Sequence, residues 1–506
     1  MLVKLGADTM MTSSTCFYVS TLPSPLSAPF CFAFLHSAPR TAHIPIATMW
    51  LPSLSSLPSP AAALAAFDRL RLTQRTRGLL LGLALGITLS LSSTRLASFW
   101  QAYRRRRALV TLPKRPIEVR SDEIVPSTVG LIGNTPLLRI ASLSDALGVD
   151  VLGKCEFLNP GGSVKDRVAL RVIEDAEAHG YLRPHTGSVL FEGTVGSTGI
   201  SLATVGKAKG YEAHIIMPDD VAVDKVLVLE RLGATVERVR PASIIDENQF
   251  VNAARRRAHE FGNVDLLSDR AELVSTQATE SEAHGNASAA RASLDAKPRG
   301  FFADQFENES NFLAHYEGTG PEIVRQTGGH YDAFVSGAGT GGTISGTGRA
   351  LKEANPECRV VLADPEGSGL FNRVKYGVMF APQESEGTKR RHQVDTIVEG
   401  IGINRVTRNF EAGERIIDDA YRISDAEAVA MSRYLVQHDG LFLGSSSACN
   451  LVACVRLAKR LPKGSRIVTI LCDSGARHQS KFWSDEYLTK HGIEVDVGIV
   501  DRLIAG

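Results

Sequence analysis

The chain has 506 residues, 43% of them hydrophobic and 22% charged, with a formal net charge of +1. That is enough chain for a large core and two packed lobes, and the charge balance gives no sign of a nucleic-acid binder, nor is there a basic patch with interleaved aromatics. The near-neutral sum hides an asymmetry: residues 1–117 hold thirteen Lys/Arg against only Asp8 and Asp68, so they carry +11 and leave −10 for the rest. The seven cysteines (Cys16, Cys31, Cys155, Cys358, Cys449, Cys454 and Cys472) form no CxxC pair and no Cys/His spacing. This excludes a finger-type zinc site and a disulfide framework, fits a reducing compartment, and marks most of them as small buried apolar residues.

Residues 1–77 are rich in Ser, Pro, Ala and Thr, nearly free of acids, and without helix or strand periodicity, so they read as a disordered leader. Met49 offers a second start. Residues 78–94, GLLLGLALGITLSLSST, are uncharged and as a helix would span about 25 Å against a hydrocarbon layer of about 30 Å. Extending to Trp100, with Arg95 snorkelling, closes the gap and predicts a transmembrane anchor over 78–100. A basic linker over 101–118 follows, with Arg104 to Arg107, Lys114 and Arg115 forming the heavier flank. By the positive-inside tendency, everything after it faces the cytosol. A cleaved transit peptide and a secretory signal read from Met49 are the alternatives.

From residue 119 to 500, strand-like runs such as VDVLGKCEFL and GSVLFEGT alternate with helical ones such as VALRVIEDAEAHG. The pattern predicts an α/β body with a mostly parallel sheet covered on both faces, and a site at the carboxyl ends of strands. In NPGGSVKDR, residues 159–167, Lys165 stands where a glycine turn meets a helix. It is either a Schiff-base former or a solvated lysine. TVGSTG, residues 194–199, is a glycine-spaced turn at a helix start that can hold a phosphate, a carboxylate, or nothing. Residues 275–300 are small and polar and read as a surface insert.

GAGTGG, residues 337–342, follows a strand, opens a helix, and has Asp364 beyond the next strand. That satisfies the dinucleotide fingerprint and makes a nicotinamide oxidoreductase a competing reading. Against it, Thr340 and Thr343 add two hydroxyls to consecutive N–H groups, which suits a compact monophosphate. A monophosphate cradle together with Lys165 points to pyridoxal 5′-phosphate.

GNTPLLRI (133–140), NPGGSVKDR, DQFEN (304–308), HYEGTGPEI (315–323), GAGTGGT, EGIG (399–402), GSSSA (444–448) and DSGARHQS (473–480) occur in this order. Over about residues 119–500 the chain resembles the cysteine synthase/cystathionine β-synthase family, and within it cysteine synthase (O-acetylserine sulfhydrylase) of the membrane-anchored type. The resemblance implies a two-domain fold of the pyridoxal-phosphate-dependent fold type II, tryptophan synthase β-like, with a smaller lobe at about 155–300 and a larger one from 119–154 plus 301–500. It implies that Lys165 holds the cofactor and shuttles the α-proton. It also implies that Gly339, Thr340, Gly341, Gly342 and Thr343 bind the phosphate, and that Ser446 meets the pyridine nitrogen. Ser446 also reads as a helix N-cap.

For TVGSTG the resemblance implies a grip on the substrate α-carboxylate by Thr194, Val195, Gly196 and Thr198, helped by Gln305, with Ser197 reaching the cofactor. Two positions depart from the family. Val195 stands for a serine and Ser197 for an asparagine, so Val195 has no side-chain donor and Ser197 falls short of an amide. His478 stands where the family tends to have tyrosine. No metal site is expected. The implied reaction is formation of L-cysteine from O-acetyl-L-serine and sulfide by a homodimer, with serine and homocysteine as the alternative pair and a weakly active membrane-tethered scaffold as a different class. The implied location is the mitochondrial outer membrane, single-pass with the catalytic domain in the cytosol, or the matrix if a transit peptide is cleaved.

Overall fold

The computed structural model describes residues 124–264, 297–380 and 396–506. The leader, the predicted anchor at 78–100, the basic linker and residues 265–296, which include most of the 275–300 insert, lie outside the described residues. Among the described residues, no helix is long and apolar enough to cross a membrane.

Two sheets organise the body. Six strands, in the order β1 (Leu137–Arg139), β2 (Asp150–Cys155), β11 (Arg466–Leu471), β8 (Ala333–Gly337), β9 (Arg359–Pro365) and β10 (Asp419–Ile423), form one sheet. The other runs β5 (Thr235–Val239), β4 (Glu212–Pro218), β3 (Val189–Gly193), β7 (Gly300–Phe302) and β6 (Asn263–Val264). Every pairing is parallel except β1 with β2, which makes the larger sheet mixed. Parallel strands covered on both faces need near-continuous apolar runs, and β8, AFVSG, is buried throughout.

Eight helices bear on the site: α1 (Lys165–Ala178), α2 (Ser197–Lys209), α3 (Val223–Arg231), α4 (Phe250–Glu260), α5 (Gly320–Thr327), α6 (Gly342–Ala354), α7 (Asp425–Asp439) and α8 (Ser445–Ala458). Residues Val168 to Ala176 of α1 share a core with Leu190, Leu202 and Phe301, so the helix that starts at Lys165 packs on the five-stranded sheet. Helix α8 is the core of the other body, where Leu451, Val452 and Val455 meet strands and α7. Asn450 of α8 accepts from Gly337 N at 2.7 Å and donates to Ile470 O at 2.9 Å, stitching the helix to two neighbouring strands. A five-residue π-turn, His315–Thr319, precedes α5, and turns of this kind gather at functional sites.

Candidate active site

The segments singled out in the sequence leave the sheets at strand carboxyl ends. TVGSTG follows β3, the glycine cradle follows β8, Gln305 lies just beyond β7, and Cys472–Asp473 follow β11. They meet at a cavity of about 1170 Å³. Lys165, Ser446, Gln305, Thr194, Val195, Ser197, Thr198, Gly339, Thr340, Gly341 and Thr343 all line it. Gly196 and Gly342 do not: the first turns toward Lys225, and the second packs on Asn311.

Lys165 is the first residue of α1, preceded by a turn in which Gly162 N donates to Asn159 O at 2.7 Å. A Cβ on Gly161 would fall 2.3 Å from Asp166 Oδ1, so only glycine lets Asp166 accept from Gly161 N. No ion pair engages Lys165 among the described residues, and burial lowers its pKa against the opposing pull of Cys472 and Asp473. The amine is therefore biased toward its neutral, nucleophilic form.

The cradle is bare backbone held from behind. A Cβ on Gly339 would lie 2.5 Å from Gly400 O, one on Gly341 2.5 Å from Phe410 Cα, and one on Gly342 2.1 Å from Asn311 Oδ1. Asn311 Nδ2 donates to Thr340 Oγ1 at 2.9 Å, and Thr407 Oγ1 donates to Thr340 O at 2.7 Å. His315, in the π-turn, sits 3.2 Å from Thr343 Oγ1 through Nε2 and 2.9 Å from Thr319 Oγ1 through Nδ1. Burial first, then Lys165 and Arg167, push its pKa well below the usual range, so it is neutral and orients the Thr343 hydroxyl. The first-turn N–H groups of α6 lack intrahelical acceptors, so with two hydroxyls the loop fits a compact dianion.

Asp364, the acid that completed the dinucleotide fingerprint, does not reach a ligand. It is fully buried, accepts from Phe371 N, and burial pushes its pKa to about 7. A buried acid holding its own turn cannot serve as a ribose acceptor, which removes the basis of the nicotinamide reading.

In TVGSTG, Gly196 adopts φ 142° and ψ −70° as the N-cap of α2, a backbone open to glycine. Gly196 N donates to Thr194 Oγ1 at 3.2 Å, and Thr198 Oγ1 donates to Gln305 Oε1 at 2.5 Å. Gln305 Nε2 makes long bonds to Gly193 O at 3.3 Å and Glu192 Oε1 at 3.4 Å. Val195 is 40% exposed and turns an apolar side chain into the cavity mouth.

Ser446 is not an N-cap. Gly444 occupies that place, and the three following serines diverge. Ser445 Oγ accepts from Glu399 N at 3.0 Å and Ser447 Oγ from Cys472 N at 2.8 Å, while Ser446 faces the cavity beside Cys472. Burial pushes the Cys472 thiol up to about 11, so it stays protonated beside Lys165.

The family model for pyridoxal-phosphate-dependent enzymes matches residues 129–473. The chain belongs to this pyridoxal-phosphate-dependent family. Within the family it is 56% identical over 365 residues to cysteine synthase 2 of Emericella nidulans, covering 71% of this chain and 80% of that one. It is 52% identical over 367 residues to a Saccharomyces cerevisiae protein with "mitochondrial cysteine synthase" in its name, covering 72% and 86%. Among solved structures, O-ureido-L-serine synthase matches with a TM-score of 0.56 at 28% identity, over 76% of this chain and all of that one. The cofactor of the family is pyridoxal 5′-phosphate, and Lys165, the cradle and Ser446 are the groups that fit it.

Sequence reasoning passed over Lys225, Glu399, Asp473, Asn311 and His315. Four of them lie within or just beyond quoted motifs, so motif membership was the available signal, but nothing local to Lys225 distinguishes it from a solvated helix lysine.

Proposed function

We propose that this cleft performs β-replacement on O-acetyl-L-serine with sulfide to give L-cysteine. The chain is a pyridoxal-phosphate-dependent cysteine synthase by its family and relatives. The observation that carries the residue assignment is the meeting of an unpaired, desolvated Lys165 with a bare-backbone cradle and the TVGSTG loop in one cavity.

Bound cofactor supplies an electron sink that makes the amino acid's α-proton acidic and its β-substituent a leaving group. Gly339, Thr340, Gly341 and Thr343 would hold the phosphate, and Gly342, packed on Asn311 outside the cavity lining, would contribute only by starting the helix behind them. Lys165 would hold the cofactor through its amine and, when free of it, would take the α-proton on Nζ, a role open to a lysine whose neutral form is favoured. Ser446, which lines the cavity, would offer the ring nitrogen a neutral hydroxyl rather than a carboxylate.

The first-turn N–H groups of α2, with the Thr194 and Thr198 hydroxyls, hold the α-carboxylate. Gln305 joins them by exchanging its long bonds for the carboxylate. Val195 contributes only its backbone N–H, and Ser197 a short hydroxyl that reaches the cofactor through water. Closure of a lobe at about 155–300 on the rest keeps bulk water from the reacting atoms.

For location, we propose a single-pass anchor at 78–100 in the mitochondrial outer membrane, with a homodimeric catalytic region in the cytosol. The apolar length, the heavier basic flank after it and the mitochondrial relative support this.

The test is the visible spectrum of the full-length protein with O-acetylserine, before and after sulfide, followed by product analysis. Borohydride should fix the cofactor to Lys165, and cysteine should accumulate. Cystathionine from serine and homocysteine at a higher rate would move the assignment to that reaction. Protease added to intact mitochondria should digest the catalytic region, whereas its protection would place it inside.

A further inference from the structure

Lys225 is only 4% exposed, although it lies on α3 rather than in any cofactor or substrate motif. Its stem runs beneath the TVGSTG turn: a Cβ on Gly196 would fall 2.5 Å from Lys225 Cδ. Its ammonium leaves the five-stranded body and pairs with Glu399 Oε2, in a loop that belongs to the six-stranded body. His478 supports that carboxylate, with Nδ1 3.3 Å from Glu399 Oε2 and Nε2 3.0 Å from Asp473 Oδ2. Nε2 is hydrogen-bonded to Asp473, whereas Nδ1 approaches Glu399 as a charge contact without a hydrogen bond; as imidazolium the ring would serve both carboxylates by charge, which a tyrosine in its place could not do. Asp473 then joins the strand end beside Lys165, through its bridge to Ser163.

The same seam carries two smaller contacts. Ser480 N donates to Asp224 Oδ2 at 3.2 Å, and Lys481 Nζ donates to Asp220 O at 3.0 Å. Glu399 is met by Lys225, His478 and, at 3.9 Å, Lys481, and His478 also meets Asp473. Both partners of the central pair are largely buried, so the pair is little screened.

We propose that Lys225 is a positioning residue: its stem sets the Gly196 turn, and its cross-cleft pair with Glu399, backed by His478 and Asp473, fixes the TVGSTG loop in its carboxylate-holding shape. This rests on the assignment of that loop to the substrate α-carboxylate. Losing the pair is expected to loosen the loop, and the cofactor loading of each variant shows whether the cradle behind Gly400 is disturbed as well.

The test uses the full-length holoenzyme, with cofactor loading checked by its visible absorbance. O-acetyl-L-serine and its carboxamide, O-acetyl-L-serinamide, are titrated spectrally against wild type, Lys225→Met, Lys225→Arg and Glu399→Gln. Wild type should prefer the acid. Lys225→Met and Glu399→Gln should each weaken acid binding by about tenfold or more, the scale of one hydrogen bond to a charged group. The carboxamide should bind unchanged, and Lys225→Arg should recover most of the loss. Equal weakening of both ligands, or none, overturns the positioning role while leaving the loop assignment standing. A wild type that does not distinguish acid from carboxamide overturns the loop assignment and the proposal with it. If Lys225→Met fails to fold, Glu399→Gln, on the opposite body, decides alone.

Discussion

Gly341→Ala tests the cradle directly. Gly341 has φ +85°, and an added Cβ would sit 2.5 Å from both Cα and Cβ of Phe410 and 2.6 Å from its N. The left-handed backbone costs an alanine about 1–2 kcal/mol, and forcing a methyl against main chain adds about 1–3 kcal/mol. The total, about 2–5 kcal/mol, has two outlets. If the loop moves to relieve the clash, its N–H groups leave the phosphate and cofactor affinity falls by about thirtyfold or more, at tenfold per about 1.4 kcal/mol. If it stays, the same energy appears as a lower unfolding midpoint. Gly440→Ala is the matched control, since Gly440 has φ +66° with nothing within 4 Å of the added Cβ. It isolates the backbone term at a residue that does not line the cavity. Reconstituting apoenzyme with pyridoxal phosphate and recording both affinity and midpoint reads both outlets. Cofactor affinity within about threefold of wild type, together with a midpoint no lower than that of Gly440→Ala, would refute the packing argument for the cradle.

Three further outcomes follow from the same geometry. Glu322→Gln leaves Arg167 and Lys154 buried without their shared carboxylate, which should cost about 3–5 kcal/mol in denaturant unfolding. Burial alone would raise the Glu322 pKa from 4.5, but Arg167 and Lys154 outweigh it and hold it at about 2. Its contribution is therefore present above pH 4.5 and lost as pH falls through about 2, so wild type and variant should converge in stability over that window. Val195→Ser, at a 40% exposed position, should alter stability by less than about 0.5 kcal/mol yet raise kcat/KM for O-acetylserine by about tenfold through one added donor; an unchanged kcat/KM would show that the backbone N–H groups suffice. In the apoprotein, Lys165 has a pKa below its ordinary 10.5, so the folded state binds fewer protons there and stability rises with pH across the interval up to about 10.5. Lys165→Met should accordingly stabilise the apoprotein at neutral pH, with the gain vanishing near pH 10.5, whereas Lys165→Arg, which cannot shed its proton, should destabilise it.

The glycine loops were legible because their requirement is local. A turn at Gly161, a cradle at Gly339–Gly342 and a left-handed N-cap at Gly196 each need a missing Cβ within a few residues of the chemistry they serve. Alternating strand and helix runs likewise predicted a mostly parallel sheet, but neither its division into two sheets nor the antiparallel β1, three residues with no buried position. Asp364 misled for a physical reason: a fingerprint counts residues between glycine and acid, while burial decides whether the acid can meet a ligand. Ser446 was displaced from the cap by Gly444, whose extended backbone (φ −76°, ψ 167°) lets the chain enter α8 against Asp473 and His478 with no room for a Cβ. Lys225 lies 174 residues from Glu399, and no pattern within one helix turn reports such a partner.

The acids around Lys165 explain why its amine is left without a counterion. Asp166, its immediate neighbour, is turned back to accept from Gly161 N and Ser201 Oγ, and burial pushes its pKa to about 6. Glu156 is buried against Arg167. Asp473 is drawn off by His478, and its pKa lies below the usual carboxylate range because His478 and Arg477 outweigh burial. Cys472, the polar side chain beside Lys165 after the β11 strand end, is a thiol held protonated by burial. Each potential anion is thus either neutral or engaged elsewhere, and the desolvation of Lys165 outweighs the pull of Cys472 and Asp473. An amine in that condition is biased toward its neutral form, which is the form the role proposed for Lys165 requires, so the buried charge pairs beyond the cavity wall favour that form by what they withhold from Lys165.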